Sequence, residues 1–177
     1  PEFQARWKWT LFNLFFISFY QLTLILLFSL PALVALQFND TPLHIFDYII
    51  AALMFFFIVY EMIADIQHWN YQSKKWELIH QGKELYDNYK KGFLDKGLWA
   101  YSRHPNYFAE QAIWICFYLF SISAGAAWFN WSIAGCLLLL ILFQGSSNLS
   151  EDISASKYPE YKEYQKKTSR FIPLPRK

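Results

Sequence analysis

Residues 97–110 concentrate polar and aromatic side chains directly before an apolar stretch. The block reads GLWAYSRHPNYFAE and brings together a cation, a histidine, an amide and a carboxylate: Arg103, His104, Asn106 and Glu110. Arginine binds phosphate through paired N–H donors, and the free N–H groups at a helix start favour anions. One interpretation is therefore a site for a polar, anionic ligand at a membrane edge. The other is an interfacial loop whose charged side chains face lipid headgroups.

The elements that position this block are predicted to be membrane helices. Of the 177 residues, 55% are hydrophobic and 21% aromatic, which is too apolar for a soluble domain of this size. A span needs about 20 apolar residues. The predicted spans lie at about residues 10–36, 45–64, 109–127 and 130–145. An alternative for the last two is a single bent or re-entrant segment.

The predicted fold class is all-α, a multi-pass transmembrane helical bundle with about four spans. We expect one membrane domain over residues 1–177, with a platform at 65–108 and a tail at 146–177. The platform and the tail carry many lysines and arginines, whereas the loop at 37–44 has none. The positive-inside rule therefore predicts that platform and tail are cytoplasmic, in a bacterial inner membrane or the endoplasmic reticulum. Because the basic residues are dispersed beside the membrane, we expect anionic lipid or an anionic cofactor as partner, and no nucleic acid.

A row of polar side chains follows the second predicted span. Residues Glu61, Asp65, His68, Gln72 and Lys75 recur at steps of three or four, which places them on one face of a helix. The row either lines a ligand groove or is the solvated face of a helix that has left the bilayer. An acidic residue near a span end is costly facing lipid, so it should face the protein interior or a wet cavity.

Other features of the polar block also fit a site. Pro105 is expected to begin the third helix, because proline is favoured in a first helical turn. Trp99 and Tyr101 are able to stack on a ligand ring, although an interfacial aromatic belt explains them and Tyr107 equally well. No spacing predicts a metal site, and Cys116 falls inside a span.

The order Arg103-His104-Pro105-Asn106-Tyr107-Phe108, then a small residue and Glu110, resembles the signature of membrane steroid 5α-reductase-like proteins of the DUF1295 type. Sterol C14 and Δ7 reductases carry the same block with Asp for Glu, and isoprenylcysteine carboxyl methyltransferases carry a shorter Arg-His-Pro-x-Tyr. Upstream, Ala64-Asp65-Ile66-Gln67 resembles the family's Ala-Asp-x-Gln helix end. The resemblance extends to a C-terminal tail formed by Glu151, residues 158–164, Thr168-Ser169-Arg170 and Phe171-Ile172-Pro173.

The resemblance implies a membrane reductase that uses a nicotinamide cofactor, NADPH, to reduce a carbon–carbon double bond. Its substrate would be a lipophilic molecule from the bilayer, similar to a steroid, sterol or isoprenoid. The expected cofactor-binding residues are Asp65, Gln67, His68, Gln72, Trp99, Tyr101, Ser102, Arg103, His104, Asn106, Tyr107, Glu110, Glu151, Tyr158, Tyr161 and Tyr164. In steroid 5α-reductases the proton donor lies on helices that precede this region, and the resemblance implies such helices here. The polar groups near membrane depth in this sequence are Tyr20, Gln21 and Glu61.

The chain departs from its relatives at positions 68 and 72, and Ala109 replaces their usual glycine. Sterol reductases carry Lys and Arg where this chain has His68 and Gln72, and those cations are expected to meet cofactor phosphates. Lys74 and Lys75 are the nearest replacements; otherwise the protein prefers NADH, binds weakly or no longer reacts. Two other functions therefore stay open: an S-adenosylmethionine-dependent isoprenylcysteine or lipid methyltransferase, and a non-catalytic lipid-binding membrane protein.

Overall fold

The computed structural model describes residues 6–38 and 40–176, which are mostly helical. The helical elements are α1 (Arg6–Phe12), a π-helical segment (Asn13–Tyr20), α2 (Gln21–Leu36), α3 (Ile45–His80), α4 (Asp87–Lys91), a 3-10 turn (Gly97–Ala100), α5 (Pro105–Ser123), α6 (Ile133–Lys157) and α7 (Tyr161–Lys167). Within this part of the chain no strand forms, and one isolated bridge joins Ser102 to Ser169. The predicted all-α class is confirmed.

Three helical stretches in the described ranges are long and apolar enough to cross a membrane. They are Trp7–Leu36, Ile45–His80 and Ile133–Lys157. Many of their large hydrophobic side chains are exposed, for example Phe19, Phe55 and Ile141 at 67–68%. Helices that are apolar on every side are typical of lipid-facing spans. These stretches indicate a membrane protein, as the composition predicted.

The predicted count of four spans is not confirmed. The predicted span at 109–127 corresponds to α5, which begins at Pro105 as expected and ends earlier, at Ser123. This helix is not among the three apolar stretches. Its first two turns carry Asn106 and Glu110, which lower its hydropathy.

The predicted span at 130–145 also has different bounds. The predicted span ends at Gly145, whereas α6 continues through this glycine to Lys157. A single glycine costs a helix interior only about 1 kcal/mol relative to alanine. The contacts that the later turns make through Glu151 offset that cost. The first part of the predicted tail is therefore helical.

The chain divides into two compact units. The first comprises the chain up to Ile50 together with Trp114–Leu139, and the second comprises Ala51–Ile113 together with the residues from Leu140 onwards. The interpretation of residues 1–177 as one membrane domain stays a prediction.

Close helix contact characterises the first unit. A Cβ atom on Gly135 of α6 would lie 2.3 Å from the Leu27 carbonyl oxygen of α2, so only glycine permits this approach. Phe28 and Trp114 pack beside it with ring centroids 5.2 Å apart. Small residues allow membrane helices to approach closely in this way.

The second unit contains an aromatic core, and its C-terminal segment is hydrogen-bonded to the loop before α5. Phe93 packs between Tyr161 and Tyr164, with ring centroids 5.1 and 5.2 Å away. The segment after α7 runs beside the loop before α5, where the Arg103 and His104 N–H groups donate to the Ser169 and Arg170 carbonyls at 2.8 and 3.0 Å. Two elements distant in sequence thereby fix the position of the polar block.

Candidate functional site

A groove of about 350 Å³ lies within the second unit. It is lined by His68, Gln72, Gly92, Phe93, Leu94, Trp99, Arg103, His104, Asn106, Tyr107, Ser150, Ile153, Ser154, Lys157, Tyr158, Tyr161 and Tyr164. We call this cavity the main groove. Ten of these residues are expected from the sequence to bind a cofactor, and they come from α3, the polar block, the position directly after α6, and α7. The volume falls in the lower part of the range of about 300–1,000 Å³ for small-molecule sites.

The Arg103 guanidinium is held by the carboxylate of Glu151. Its Nε and Nη2 donate to the two Glu151 oxygens at 2.8 and 3.1 Å, and its Nη1 donates to the carbonyls of Gln165 and Thr168 at 2.8 and 2.5 Å. The paired donors expected to bind a phosphate are thus used within the protein. Direct phosphate binding by Arg103 stays a prediction that depends on the remaining Nη2 hydrogen.

Glu151 is the centre of a buried network. Its side chain is 2% exposed and also accepts hydrogen bonds from Gln165, at 2.8 Å, and from His104 Nε2, at 3.0 Å. The Arg170 Nη2 lies 3.7 Å from it. A buried carboxylate needs such partners, because removing a charge from water is costly unless it is paired. Glu151 therefore lies behind the groove wall and fixes Arg103 and His104.

Two side chains from the polar row on α3 reach the main groove. His68 stacks on Trp99 with ring centroids 5.1 Å apart, and the Gln72 Nε2 lies 3.3 Å from the His68 Nε2. Asp65 does not line the main groove; its Oδ1 accepts a hydrogen bond from Asn106 at 3.0 Å. The row predicted from helical spacing thus meets the polar block at Asn106 and Trp99.

The lysines expected to replace the missing cations have different positions. Lys74 donates to Glu77 at 2.8 Å and does not line the main groove. Lys75 donates to the Gly92 carbonyl at 3.0 Å and to the Tyr158 hydroxyl at 3.2 Å. Lys75 therefore lies beside the groove wall, and its ammonium group is used in hydrogen bonds within the protein.

Tyr158 lies between two ammonium groups. Lys75 hydrogen-bonds its hydroxyl, and the Lys157 Nζ lies 5.4 Å from its ring centroid. Burial by itself raises the pKa of Tyr158, but the hydrogen bonds from Lys75 and Lys157 outweigh burial and lower it. This end of the main groove therefore carries positive charge.

The other two tyrosines of the row are mainly structural. Burial, with the negative charge of Glu151, raises the pKa of Tyr161 to about 12. Burial likewise raises the pKa of Tyr164, whose hydroxyl donates to the Trp99 carbonyl. Both rings pack on Phe93, and the hydrogen bond from Tyr164 fixes the backbone at Trp99.

Besides Asp65 and Glu151, four further residues of the expected set do not line the main groove. Gln67 accepts a hydrogen bond from the Leu98 N–H at 2.9 Å, and Ser102 is fully buried and donates to the Arg170 carbonyl. Tyr101 is half-exposed, and its carbonyl accepts a hydrogen bond from Leu174. The fourth is Glu110, whose side chain hydrogen-bonds Glu61.

Sequence reasoning missed one face of α6. Ser150, Ile153, Ser154 and Lys157 line the main groove at helical spacing. This pattern becomes visible only if the helix is continued past Gly145. Of the three candidates for a proton donor, Tyr20 and Gln21 belong to the first unit and Glu61 to the second.

Comparison with known proteins places the chain in a family context. The model of the family described as "Protein of unknown function (DUF1295)" matches residues 2–168. An uncharacterized protein of Schizosaccharomyces pombe is 37% identical over 180 residues, which cover 97% of this chain and 52% of that protein. The chain thus spans about half the length of this relative. No solved structure matches.

Proposed function

The chain belongs to the DUF1295 family, and we propose that it forms the cofactor-binding part of a membrane-embedded, NAD(P)H-dependent reductase. The reaction is reduction of a carbon–carbon double bond in a lipophilic substrate similar to a steroid, sterol or isoprenoid. The observation that carries the proposal is the convergence of the polar block, the α3 row and the lysine-rich end on one groove. The cofactor site faces the cytoplasm, where nicotinamide nucleotides are available.

The groove offers each part of a dinucleotide a matching group. Asn106 lines the groove and is held by Asp65 through a 3.0 Å hydrogen bond, so its amide is placed for a carboxamide or a ribose. Lys157, which lines the groove beside Tyr158, offers a cation for phosphate. The His68–Trp99 stack leaves an aromatic surface for a flat ring. The hydride chemistry belongs to the cofactor, and the protein contributes position and electrostatics.

A second candidate is an S-adenosylmethionine-dependent methyltransferase. The observation that favours it is the volume of about 350 Å³, which suits a single nucleoside better than a dinucleotide. The hydrogen bonds from Arg103 to Glu151 also favour this function, because S-adenosylmethionine has no phosphate group that an arginine would have to bind.

Ligand titration separates these functions. Purified protein in lipid nanodiscs is titrated with NADPH, NADH and S-adenosylmethionine, and any nucleotide released from the protein is identified by mass spectrometry. Asn106→Ala should weaken NADPH binding about two- to tenfold, the scale of one hydrogen bond. Asn148→Ala is the matched control, because Asn148 is exposed on α6 and does not line the groove.

Each outcome assigns a function. Dinucleotide binding that depends on Asn106 supports the reductase. Binding of S-adenosylmethionine alone would move the chain to the methyltransferases. Binding of neither nucleotide would leave a lipid-binding role and overturn the proposal.

A further inference from the structure

A second cavity within the second unit is formed by α3 and by residues 87–97. It measures about 420 Å³, which lies in the range of about 300–1,000 Å³ for small-molecule sites. We call it the loop cavity. Leu94 also lines the main groove, whereas the other lining residues do not, so the two cavities are separate. The loop cavity is lined by Gln67, Asn70, Tyr71, Asp87, Asn88, Tyr89, Leu94, Lys96 and Gly97.

Asn88 gives the loop cavity an unused hydrogen-bond acceptor. This residue is 5% exposed, and its side-chain Oδ1 has no hydrogen-bond partner in the part of the chain that the structure describes. Its backbone carbonyl, by contrast, accepts hydrogen bonds from the Tyr71 hydroxyl and the Gly92 N–H, both at 3.0 Å. Because a buried polar atom without a partner is costly, this fixed acceptor favours a ligand that brings an O–H or N–H donor.

The charged side chains at the loop cavity neutralise each other. Lys96 donates a hydrogen bond to Asp87, and no other described residue of the lining is charged. The lining therefore favours a neutral ligand over a phosphate or an ammonium ion.

Donors and acceptors reach the loop cavity from two segments of the chain. Helix α3 contributes Asn70 and Gln67, whose Oε1 accepts from the Leu98 N–H at 2.9 Å and whose Nε2 remains a donor. The loop contributes Asn88 and the hydroxyl of Tyr89. A flat heterocycle hydrogen-bonds only along its edges, whereas a sugar ring carries hydroxyls around its perimeter, and each hydroxyl both donates and accepts. The arrangement therefore fits a sugar ring better than a nucleobase.

We propose that the loop cavity binds a neutral sugar ring of hexose size. Its hydroxyls donate to Asn88 Oδ1 and accept from the side-chain amides of Gln67 and Asn70. The aromatic rings of Tyr71 and Tyr89, stacked with centroids 5.3 Å apart, add apolar surface for the C–H groups of the sugar. This proposal does not rest on the proposed function, because the nucleotide would occupy the main groove.

Two sources of a hexose reach this level of α3. A hydrocarbon core of about 30 Å takes up about 20 helical residues, which correspond to Ile45–Ala64. Gln67 lies three residues further along, so it is about 5 Å beyond the hydrocarbon, at the level of the headgroups. The sugar is therefore either the headgroup of a glycolipid or a dissolved molecule.

Two binding measurements distinguish these sources. Methyl β-D-glucopyranoside is titrated against the protein in phosphatidylcholine nanodiscs and followed by ligand-observed NMR. In the second measurement the nanodiscs also contain monoglucosyl diacylglycerol, and native mass spectrometry counts the glycolipids that stay bound to the protein.

Three variants test the named contacts. Asn88→Leu keeps the approximate size of the side chain but removes the acceptor, so it should weaken sugar binding about tenfold. Asn70→Ala should weaken binding about two- to tenfold, the scale of one hydrogen bond. Asn148→Ala is the control and should bind as wild type does, because Asn148 is exposed on α6 and does not line the loop cavity.

Each outcome either supports or overturns the proposal. Glucoside binding that both loop-cavity variants weaken supports a dissolved sugar, and retention of the glycolipid alone, reduced by the same variants, supports a headgroup. No binding in either measurement would overturn the proposal, as would binding that Asn70→Ala and Asn88→Leu leave unchanged. Should Asn88→Leu fail to fold, Asn70→Ala decides, because Asn70 is exposed and its truncation leaves the core intact.

Discussion

Replacing Glu151 with glutamine should destabilise the protein more than any surface substitution. The variant Glu151→Gln keeps the shape of the side chain but removes its charge, which leaves the 10% exposed Arg103 guanidinium without its buried counterion. It also places an amide N–H₂ against the donors of Arg103, His104 and Gln165. Breaking a buried ion pair by removing one partner costs about 3–5 kcal/mol.

The magnitude can be measured as a shift in thermal unfolding. For chains of about 150–250 residues, 1 kcal/mol corresponds to about 2–4 °C, so Tm should fall by about 6–20 °C. Unfolding in detergent is followed by tryptophan fluorescence. Asp152→Asn is the control, because the neighbouring Asp152 is exposed, and its change should stay within about 0.5 kcal/mol.

A double-variant cycle identifies the cause of the loss. Arg103→Leu combined with Glu151→Leu removes both charges, so it should be less destabilising than the sum of the two single changes. Equal Tm values for wild type and Glu151→Gln would refute the description of this network. Strict additivity in the cycle would show that the two side chains do not act as a pair.

Three further predictions follow from the contacts. Lys157→Ala should reduce the preference for NADPH over NADH about tenfold, because Lys157 lines the main groove. Lys74→Ala is the control and should leave this preference unchanged, because Lys74 pairs with Glu77 outside the groove. Both variants are titrated with NADPH and NADH, and a loss of preference in Lys74→Ala alone would place the 2′-phosphate elsewhere. Gly135→Ala should cost about 1–3 kcal/mol by forcing a Cβ atom into the backbone of α2, while Gly145→Ala, with open space around it, should gain about 0.5–1 kcal/mol. Thermal unfolding of the two glycine variants tests this, and equal shifts would contradict it. A cysteine at Lys90 should react with an impermeant maleimide only from the cytoplasmic side, and labelling from the opposite side alone would reverse the topology.

The parts of the fold that local rules govern were predictable. Helix α5 begins at Pro105 as expected, and α3 continues from Ile45 to His80, so the polar row predicted from helical spacing does lie on one helix. The end of α6 was not predictable from Gly145, because the residues beyond it are stabilised by the contacts of Glu151 with Arg103 and His104, which lie 48 and 47 positions away. Tertiary contacts of this kind outweigh a local preference of about 1 kcal/mol.

The candidate site also combines features that local rules predict with features that depend on tertiary contacts. Helical spacing placed His68 and Gln72 on the face that lines the main groove. Residue type alone predicts that Arg103 binds a ligand, which stays a prediction, whereas the structure shows that its guanidinium is held by a carboxylate of the same chain. An arginine has the same donors for a phosphate and for a glutamate, so the sequence could not distinguish the two. Lys157 was missed because the helix that carries it was predicted to end too early.

The hydrogen bonds between the polar block and the segment after α7 have a consequence for biosynthesis. Synthesis proceeds from the N-terminus, so the loop with Arg103 and His104 is made before Ser169 and Arg170, whose carbonyls it binds. Glu151 is also made later than the loop that it neutralises. The polar block therefore gains these backbone partners only when translation has passed Arg170. A chain that ends shortly before Ser169 would retain all the long apolar helices but lack the hydrogen bonds that fix the polar block.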